Sequence, residues 1–210
     1  LISGPFINQK DYDYILNKKC LKILYITEPI EINEPYKKCY ELLQKNSFNK
    51  IIGCTNQELN KIKFPLYINS VLNKEKHFFD EINQYVKNCD INHKNFCSLI
   101  NTHDNWNTRK PIYHLLKELG HITCPSELLN NCSNEELNRL GNENYLKQFL
   151  FNICSENTLT QVKGYITEKL VRCVNGCAIP IFCGWFDDID AKIFNRNRIL
   201  FFNPNNEQSL

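Results

Sequence analysis

Short apolar runs alternate with stretches whose apolar residues recur at helical spacing through most of the chain. The runs rich in β-branched and aromatic residues predict buried strands that stop at polar or glycine-containing segments. We predict strands at residues 21–26, 50–54, 96–100 and 178–182, a short extended segment at 64–68, and a change from helix to strand over 145–154.

Amphipathic spacing between these runs predicts helices at residues 36–44, 77–86, 108–119 and 167–173. Gly120 is expected to cap the helix that precedes it. The order strand, helix, strand indicates βαβ units on parallel sheets, and therefore an α/β fold. A polar stretch without periodicity at 87–94 predicts a boundary between two domains, residues 1–88 and 89–210.

Ligands of open parallel sheets bind beyond the carboxyl ends of the strands. The residues that follow the predicted strands are therefore the first candidates for a binding site. They are Glu28, Thr102, Arg109, Asn157 and the segment 165–169.

Composition and charge argue against a protein that binds nucleic acid or spans a membrane. The chain has 25 basic and 23 acidic residues and a net charge of +2. This is not the excess of positive charge that binding to a phosphate backbone requires. No apolar run approaches the roughly 20 residues of a membrane span. The 11 cysteines lack the spacing of a disulfide framework, which favours a reducing, cytoplasmic location.

Segment 164–169, Gly-Tyr-Ile-Thr-Glu-Lys, is the densest polar cluster at a predicted loop-to-helix junction. Thr167 is placed to cap the helix, and Glu168 suits the positive end of the helix dipole. Lys169 opposes the dipole, and its position is easier to explain if it faces a bound anion such as a phosphate. On spacing alone, an ordinary capped helix with a solvated Glu–Lys pair is the favoured interpretation, because such capping patterns are common.

Three stretches of the second half resemble the signature of the α-1,3-fucosyltransferases. They are residues 151–157 (Phe-Asn-Ile-Cys-Ser-Glu-Asn), residues 164–169, and residues 178–184 (Ala-Ile-Pro-Ile-Phe-Cys-Gly). Their order and spacing match that family's strand, helix start and proline-containing strand that ends at glycine. Weaker similarity at 25–28, 48–53, 64–67 and 96–114 extends the resemblance over nearly the whole chain. Ser155, His103 and Pro29 depart from the family pattern.

The resemblance implies a GT-B architecture, in which two Rossmann-like domains face each other across a cleft. In this chain the N-terminal domain would be truncated before Leu1. The implied reaction transfers fucose from GDP-fucose, with inversion, to a hydroxyl of a glycan acceptor. The resemblance implies no required cofactor or metal, and its partners are the nucleotide-sugar donor and the acceptor.

The resemblance also assigns the donor side residue by residue. Arg109 and Lys169 would neutralise the charge that builds on the departing GDP. Asn157 and Tyr165 would donate hydrogen bonds to phosphate oxygens. The remaining donor-side positions are Thr102, Thr167 and Glu168, of which Glu168 is expected to hold donor hydroxyls.

Glu28 falls where the family carries its proposed catalytic base, which would take the proton from the acceptor hydroxyl. The alternative interpretation of Glu28 is an ordinary loop carboxylate, and Glu31 and Glu34 are close enough in sequence to be rivals as the base.

Other interpretations compete with this one. Residues 187–190, Asp-Asp-Ile-Asp, contain the D-x-D pattern by which GT-A glycosyltransferases hold a metal and a diphosphate. Cys173 and Cys177 lie about one helical turn apart, and Cys183 could complete a zinc site, although cysteine is more often simply buried. The chain could also use another nucleotide-sugar, or be a non-catalytic module that binds nucleotides or glycans.

Overall fold

A computed structural model describes residues 1–31, 34–56, 61–72, 74–158 and 162–203. It contains two separate sheets, and every strand pair in them is parallel. The α/β fold predicted from the strand–helix alternation is confirmed.

The first sheet has four strands in the order β1-β2-β3-β4. They are β1 Ile2–Ser3, β2 Ile23–Ile26, β3 Lys50–Gly53 and β4 Lys61–Lys63. The second sheet has five strands in the order β6-β5-β7-β8-β9. They are β5 Asn95–Ser98, β6 Ile122–Thr123, β7 Phe149–Ser155, β8 Ile179–Cys183 and β9 Leu200–Phe201.

Helices pack beside both sheets. They are α1 Gln9–Asn17, α2 Lys37–Gln44, α3 Tyr67–Leu72, α4 Lys76–Asn88, α5 Arg109–Leu116, α6 Glu135–Leu146 and α7 Glu168–Asn175. The predicted strands 21–26, 50–54, 96–100 and 178–182 and the helices 36–44, 77–86 and 167–173 are confirmed, with ends that move by a few residues. Helix α6 followed by β7 confirms the change of structure over 145–154.

Two predictions are wrong. The segment 64–68 is not extended, because the strand lies upstream in β4 and α3 begins at Tyr67, whose buried ring joins the core. The predicted helix 108–119 is confirmed as α5 with an end three residues earlier, at Leu116, but its C-cap is Lys117 and not Gly120. Gly120 is instead a close-packing residue, since a Cβ there would lie 2.7 Å from the Phe96 ring.

Gly53 explains how the end of β3 approaches β2. Its φ is +124°, and a Cβ at this position would lie 2.1 Å from the carbonyl oxygen of Ile26. Any larger residue would push apart the strand ends from which the loop carrying Glu28 departs.

The segment that follows β7 packs against both sheets. Val162 and Tyr165 belong to the core cluster of the first sheet. Ile166 and Leu170 belong to a cluster beside the second sheet, which also contains Tyr67 from α3. Segment 162–170 therefore joins the two halves of the molecule.

The change from the first sheet to the second falls between β4 and β5, a stretch that contains α3, α4 and a 3₁₀ helix at Ile91–His93. The division into domains at residues 88 and 89 stays a prediction. Within the described parts of the chain, none of the helices combines the length and apolar character that crossing a bilayer requires.

Candidate active site

A buried carboxylate, Glu156, organises the start of α7. It follows β7 directly and has no solvent exposure. Its Oε1 accepts hydrogen bonds from the backbone amide of Thr167 at 2.7 Å and from the Thr167 hydroxyl at 3.0 Å. Its Oε2 pairs with the ammonium of Lys169 at 3.2 Å. The β7 strand end and the α7 helix start are thus fixed to each other by one side chain.

The glycine after β8 makes room for this carboxylate. A Cβ at Gly184 would lie 2.8 Å from Cγ of Glu156. The backbone amide of Glu156 also donates to the Cys183 carbonyl at 2.8 Å. The glycine that ends the third signature stretch therefore has a packing role at the site.

Arg109, the first residue of α5, is buried with 2% exposure. Its guanidinium donates to the carbonyls of His103 at 2.5 Å and Ser155 at 3.1 Å, and to the side-chain oxygen of Asn157 at 2.5 Å. The Nε atom is buried without a hydrogen-bond partner in the described chain. Because its direct partners are neutral oxygens, the guanidinium keeps its charge available for an anion.

Asp104 holds the amino end of α5. Its carboxylate accepts from the backbone amides of Thr108 at 2.8 Å, Arg109 at 3.1 Å and Lys110 at 2.8 Å. These are amides that a helix start leaves unpaired, and a carboxylate is well placed at the positive end of the dipole. Asp104 thereby fixes the position from which Arg109 extends.

Glu28, which follows β2 of the first sheet, contacts Tyr165, which lies between β7 of the second sheet and α7. The Tyr165 hydroxyl donates to Glu28 Oε2 at 3.2 Å. Burial raises the pKa of Glu28, and the hydrogen bond from Tyr165 and the charge of Lys169 offset only part of that rise. Burial also raises the pKa of Tyr165, so its hydroxyl stays protonated and can act as the donor.

A polar cleft of about 190 Å³ lies between these groups. It is lined by Glu28, Tyr36, His103, Asn105, Trp106, Thr108, Arg109 and Asn157. Its walls come from the loops after β2, β5 and β7, which leave the carboxyl ends of parallel strands, as the sequence predicts for a ligand site.

The structure brings most of the predicted site residues to this region in different roles. Thr167 is buried as the N-cap of α7, and Lys169 lies on Glu156. Glu168 pairs with Arg172 at 3.3 Å on the outer side of α7. Thr102 is exposed, bonds to the ring of His103 at 2.9 Å and lies outside the lining of the cleft. Their assignments to the donor stay predictions.

The rivals of Glu28 do not line the cleft. Glu31 Oε1 accepts from the Thr55 hydroxyl at 2.5 Å and from the Asn56 amide at 2.9 Å. Glu34 is exposed at the start of the 3₁₀ helix Glu34–Tyr36. Of the three carboxylates, only Glu28 faces Arg109 and Asn157.

Two of the three carboxylates in the acidic segment 187–190 are occupied by protein groups. Asp187 and Asp190 pair with Lys63 at 2.7 and 3.2 Å. The backbone amides of Ile189 and Asp190 donate to Asp187 Oδ1 at 2.9 and 3.2 Å. This arrangement is an ion-paired loop, and it does not favour the GT-A interpretation.

Cys173 and Cys177 turn to different acceptors. The Cys173 thiol donates to the Ala178 carbonyl at 3.4 Å, and the Cys177 thiol donates to the Asn175 carbonyl at 3.8 Å. Over the residues whose placement is described, no group of three or more His, Cys, Asp or Glu side chains could hold a metal ion.

Sequence reasoning missed four residues of this region. Glu156 and Asp104 act as buried or helix-capping carboxylates, and Tyr36 and Trp106 line the cleft. An Asp just before a predicted helix start is a recognisable capping signal. The cleft position of the two aromatic residues depends on long-range packing, which local sequence does not reveal.

Two parallel sheets with a polar cleft at their strand ends define a GT-B-like glycosyltransferase fold, and comparison with known proteins agrees. No family model matches the chain. The Alpha-(1,3)-fucosyltransferase FucT of Helicobacter pylori is 32% identical over 102 residues, which is 49% of this chain and 20% of that protein. The aligned part thus spans about a fifth of the relative's length.

Solved α1,3-fucosyltransferase structures share the fold over almost the whole chain. One has a TM-score of 0.68 at 20% identity, with 95% of this chain and 60% of that chain covered. Another, with GDP-fucose, has a TM-score of 0.62 at 19% identity, with 95% and 72% covered. The predicted resemblance to the α-1,3-fucosyltransferase family is confirmed, and the chain is α-1,3-fucosyltransferase-like in fold.

The Glu156–Lys169 pair gives a stability prediction. Replacing Lys169 by Met leaves the buried Glu156 charge without its cation, and we expect a loss of about 3 kcal/mol in the free energy of unfolding. Glu168→Gln breaks only the more exposed pair with Arg172, and we expect less than about 0.5 kcal/mol. Urea unfolding of both variants measures the difference, and equal losses would contradict the buried role of Glu156.

Proposed function

We propose that this chain forms the cleft of an inverting glycosyltransferase that transfers fucose from GDP-fucose to a hydroxyl of a glycan acceptor. The observation that carries the proposal is the placement of Arg109, Asn157 and Glu28 around one polar cleft. The fold shared with α1,3-fucosyltransferases supports it, one of which is solved with GDP-fucose and another with GDP.

The positive charges at the site indicate which residues would bind the donor. Breaking the glycosyl bond leaves the sugar with oxocarbenium character and builds negative charge on the departing GDP. The buried Arg109 guanidinium has only neutral oxygens as direct partners, so its positive charge is left to attract a diphosphate. Lys169 would add a point charge nearby. These two cations would supply the neutralisation that a metal provides in other glycosyltransferases, which makes the proposed reaction metal-independent.

The burial of Glu28 supports its assignment as the catalytic base. Inversion requires a base on the face opposite the leaving group, and Glu28 is the carboxylate that lines the same cleft as Arg109. A carboxylate whose pKa is raised by burial accepts a proton more readily than an exposed one. Tyr165 would orient it through the 3.2 Å hydrogen bond.

The acceptor would lie beside Glu28, between Tyr36 and Trp106. The pKa of Tyr36 is raised by burial and by the charge of Glu28, so the two side chains are close. Aromatic rings offer flat apolar surfaces with a polar edge, which suit the C–H faces and hydroxyls of a sugar. His103 and Asn105 on the same wall can exchange hydrogen bonds with hydroxyl groups.

Donor choice can be tested by calorimetry with GDP, GDP-fucose, GDP-mannose, UDP-glucose and UDP-N-acetylglucosamine. We expect the guanosine ligands to bind, with GDP-fucose preferred over GDP-mannose. Arg109→Lys removes the planar fork and should weaken GDP binding roughly 10- to 100-fold. Arg139→Lys, on the exposed side of α6, is the matched control and should bind as wild type.

Tighter binding of the UDP-sugars would overturn the donor assignment. GDP binding without any transfer would favour a non-catalytic module instead.

The base assignment predicts a pH dependence. Since Glu28 must be deprotonated to act, kcat/KM should fall as pH is lowered through its raised pKa, above the range of an ordinary glutamate. Glu28→Gln should lower kcat by about 100-fold or more while GDP affinity is kept. Glu34→Gln, at an exposed neighbouring position, should leave both unchanged, and unimpaired transfer by Glu28→Gln would exclude Glu28 as the base.

A further inference from the structure

The acidic loop after β8 has no part in the proposed reaction, yet it is tied to the first sheet. Lys63 on β4 donates to Asp187 at 2.7 Å and to Asp190 at 3.2 Å. The Asp190 side chain is fully buried, and its other oxygen accepts from the Tyr67 hydroxyl at 3.3 Å. The Asp187 backbone amide also donates to Asp190, at 3.1 Å. A carboxylate held in this way is a fixed point, because losing Lys63 would leave a buried charge without its cation.

Lys63 and Tyr67, the two side-chain partners of Asp190, also hold the segment that carries Tyr165. The stem of Lys63 packs on Gly164, where a Cβ would lie 3.3 Å from Lys63 Cε. The Tyr67 backbone amide donates to the Ile166 carbonyl at 3.2 Å. Gly164 and Ile166, on either side of Tyr165, are thus held by Lys63 and Tyr67, whose side chains both contact Asp190.

Tyr165 transmits this placement to Glu28. Its ring is buried in the core of the first sheet, and its hydroxyl lies 3.2 Å from Glu28 Oε2. Gly164 has a φ of +79°, so the chain turns sharply just before Tyr165. The strength of a hydrogen bond falls steeply with distance and angle, and a small shift of 164–166 would weaken this contact.

We propose that Asp190, acting through Lys63 and Tyr67, is a positioning residue that sets the hydrogen bond from Tyr165 to Glu28. The proposal rests on the function proposed above, because Glu28 is the base in that reaction. It also gives the acidic segment 187–190 a role: Asp190 organises the base from a distance without holding a metal.

Several other groups act on Glu28 and must be held constant in a test. The titratable groups that face it are Tyr36, Cys54, His103, Arg109, Glu156, Tyr165, Glu168 and Lys169. The variants below leave all of these in place except Tyr165.

The test compares Asp190→Asn, Tyr165→Phe and the double variant through the pH profile of kcat/KM. Tyr165→Phe removes a bond that stabilises the carboxylate, so the acid limb should move up by about one pH unit. Asp190→Asn should move it in the same direction, and the double variant should move it no further than Tyr165→Phe alone. Asp188→Asn, exposed in the same loop, is the matched control and should match wild type.

A second variant covers the case in which Asp190→Asn does not fold. Gly164→Ala pushes the segment away from Lys63 without changing any charge, and it should shift the acid limb in the same direction. Shifts in the double variant equal to the sum of the single shifts would overturn the proposal. A loss of kcat with an unmoved acid limb would overturn it too.

A direct titration separates this proposal from the proposed function. Carbon-13 NMR of the Glu28 carboxyl, identified by its loss in Glu28→Gln, needs no transfer activity. If the wild type shows no transfer but Asp190→Asn still shifts the Glu28 titration, the proposed function is refuted and the coupling between Asp190 and Glu28 stands. Normal transfer with an unshifted titration would refute the coupling alone.

Discussion

The architecture of the site depends on the buried carboxylate of Glu156, which accepts hydrogen bonds from Thr167 and forms an ion pair with Lys169. A carboxylate without solvent exposure must find donors inside the protein, and here they come from the first turn of α7. The contact fixes the end of β7 against the start of α7. Gly184 leaves the space for it, and the backbone carbonyl of Ser155, one residue earlier, receives the buried guanidinium of Arg109.

A second set of contacts joins this centre to the first sheet. Tyr165 lies between the two, with its ring in the core of the first sheet and its hydroxyl on Glu28. Lys63 and Tyr67 hold the same segment from the side of β4 and α3. The cleft between Arg109 and Glu28 therefore keeps its shape through packed and ion-paired side chains, although no strand pairing among the described residues joins the two sheets.

Local sequence predicted the parts of this arrangement that depend on pattern. The strands β2, β3, β5 and β8 follow from apolar runs, and Thr167 as a helix cap follows from its place before α7. The extended segment predicted at 64–68 was wrong because the strand lies upstream, in β4, and α3 already begins at Tyr67. The partners of Glu156 and Asp190 could not be predicted, because each pair joins residues that are distant in sequence and meet only through tertiary packing.

Hydrogen–deuterium exchange with and without GDP tests the central claim most directly, that Arg109 and the start of α7 form one donor site. The account predicts that GDP slows exchange together in peptides covering residues 104–110 and 162–170, and leaves the β1 and α1 region unchanged. Protection confined to the acidic loop at 187–190, or protection at only one of the two predicted segments, would contradict it.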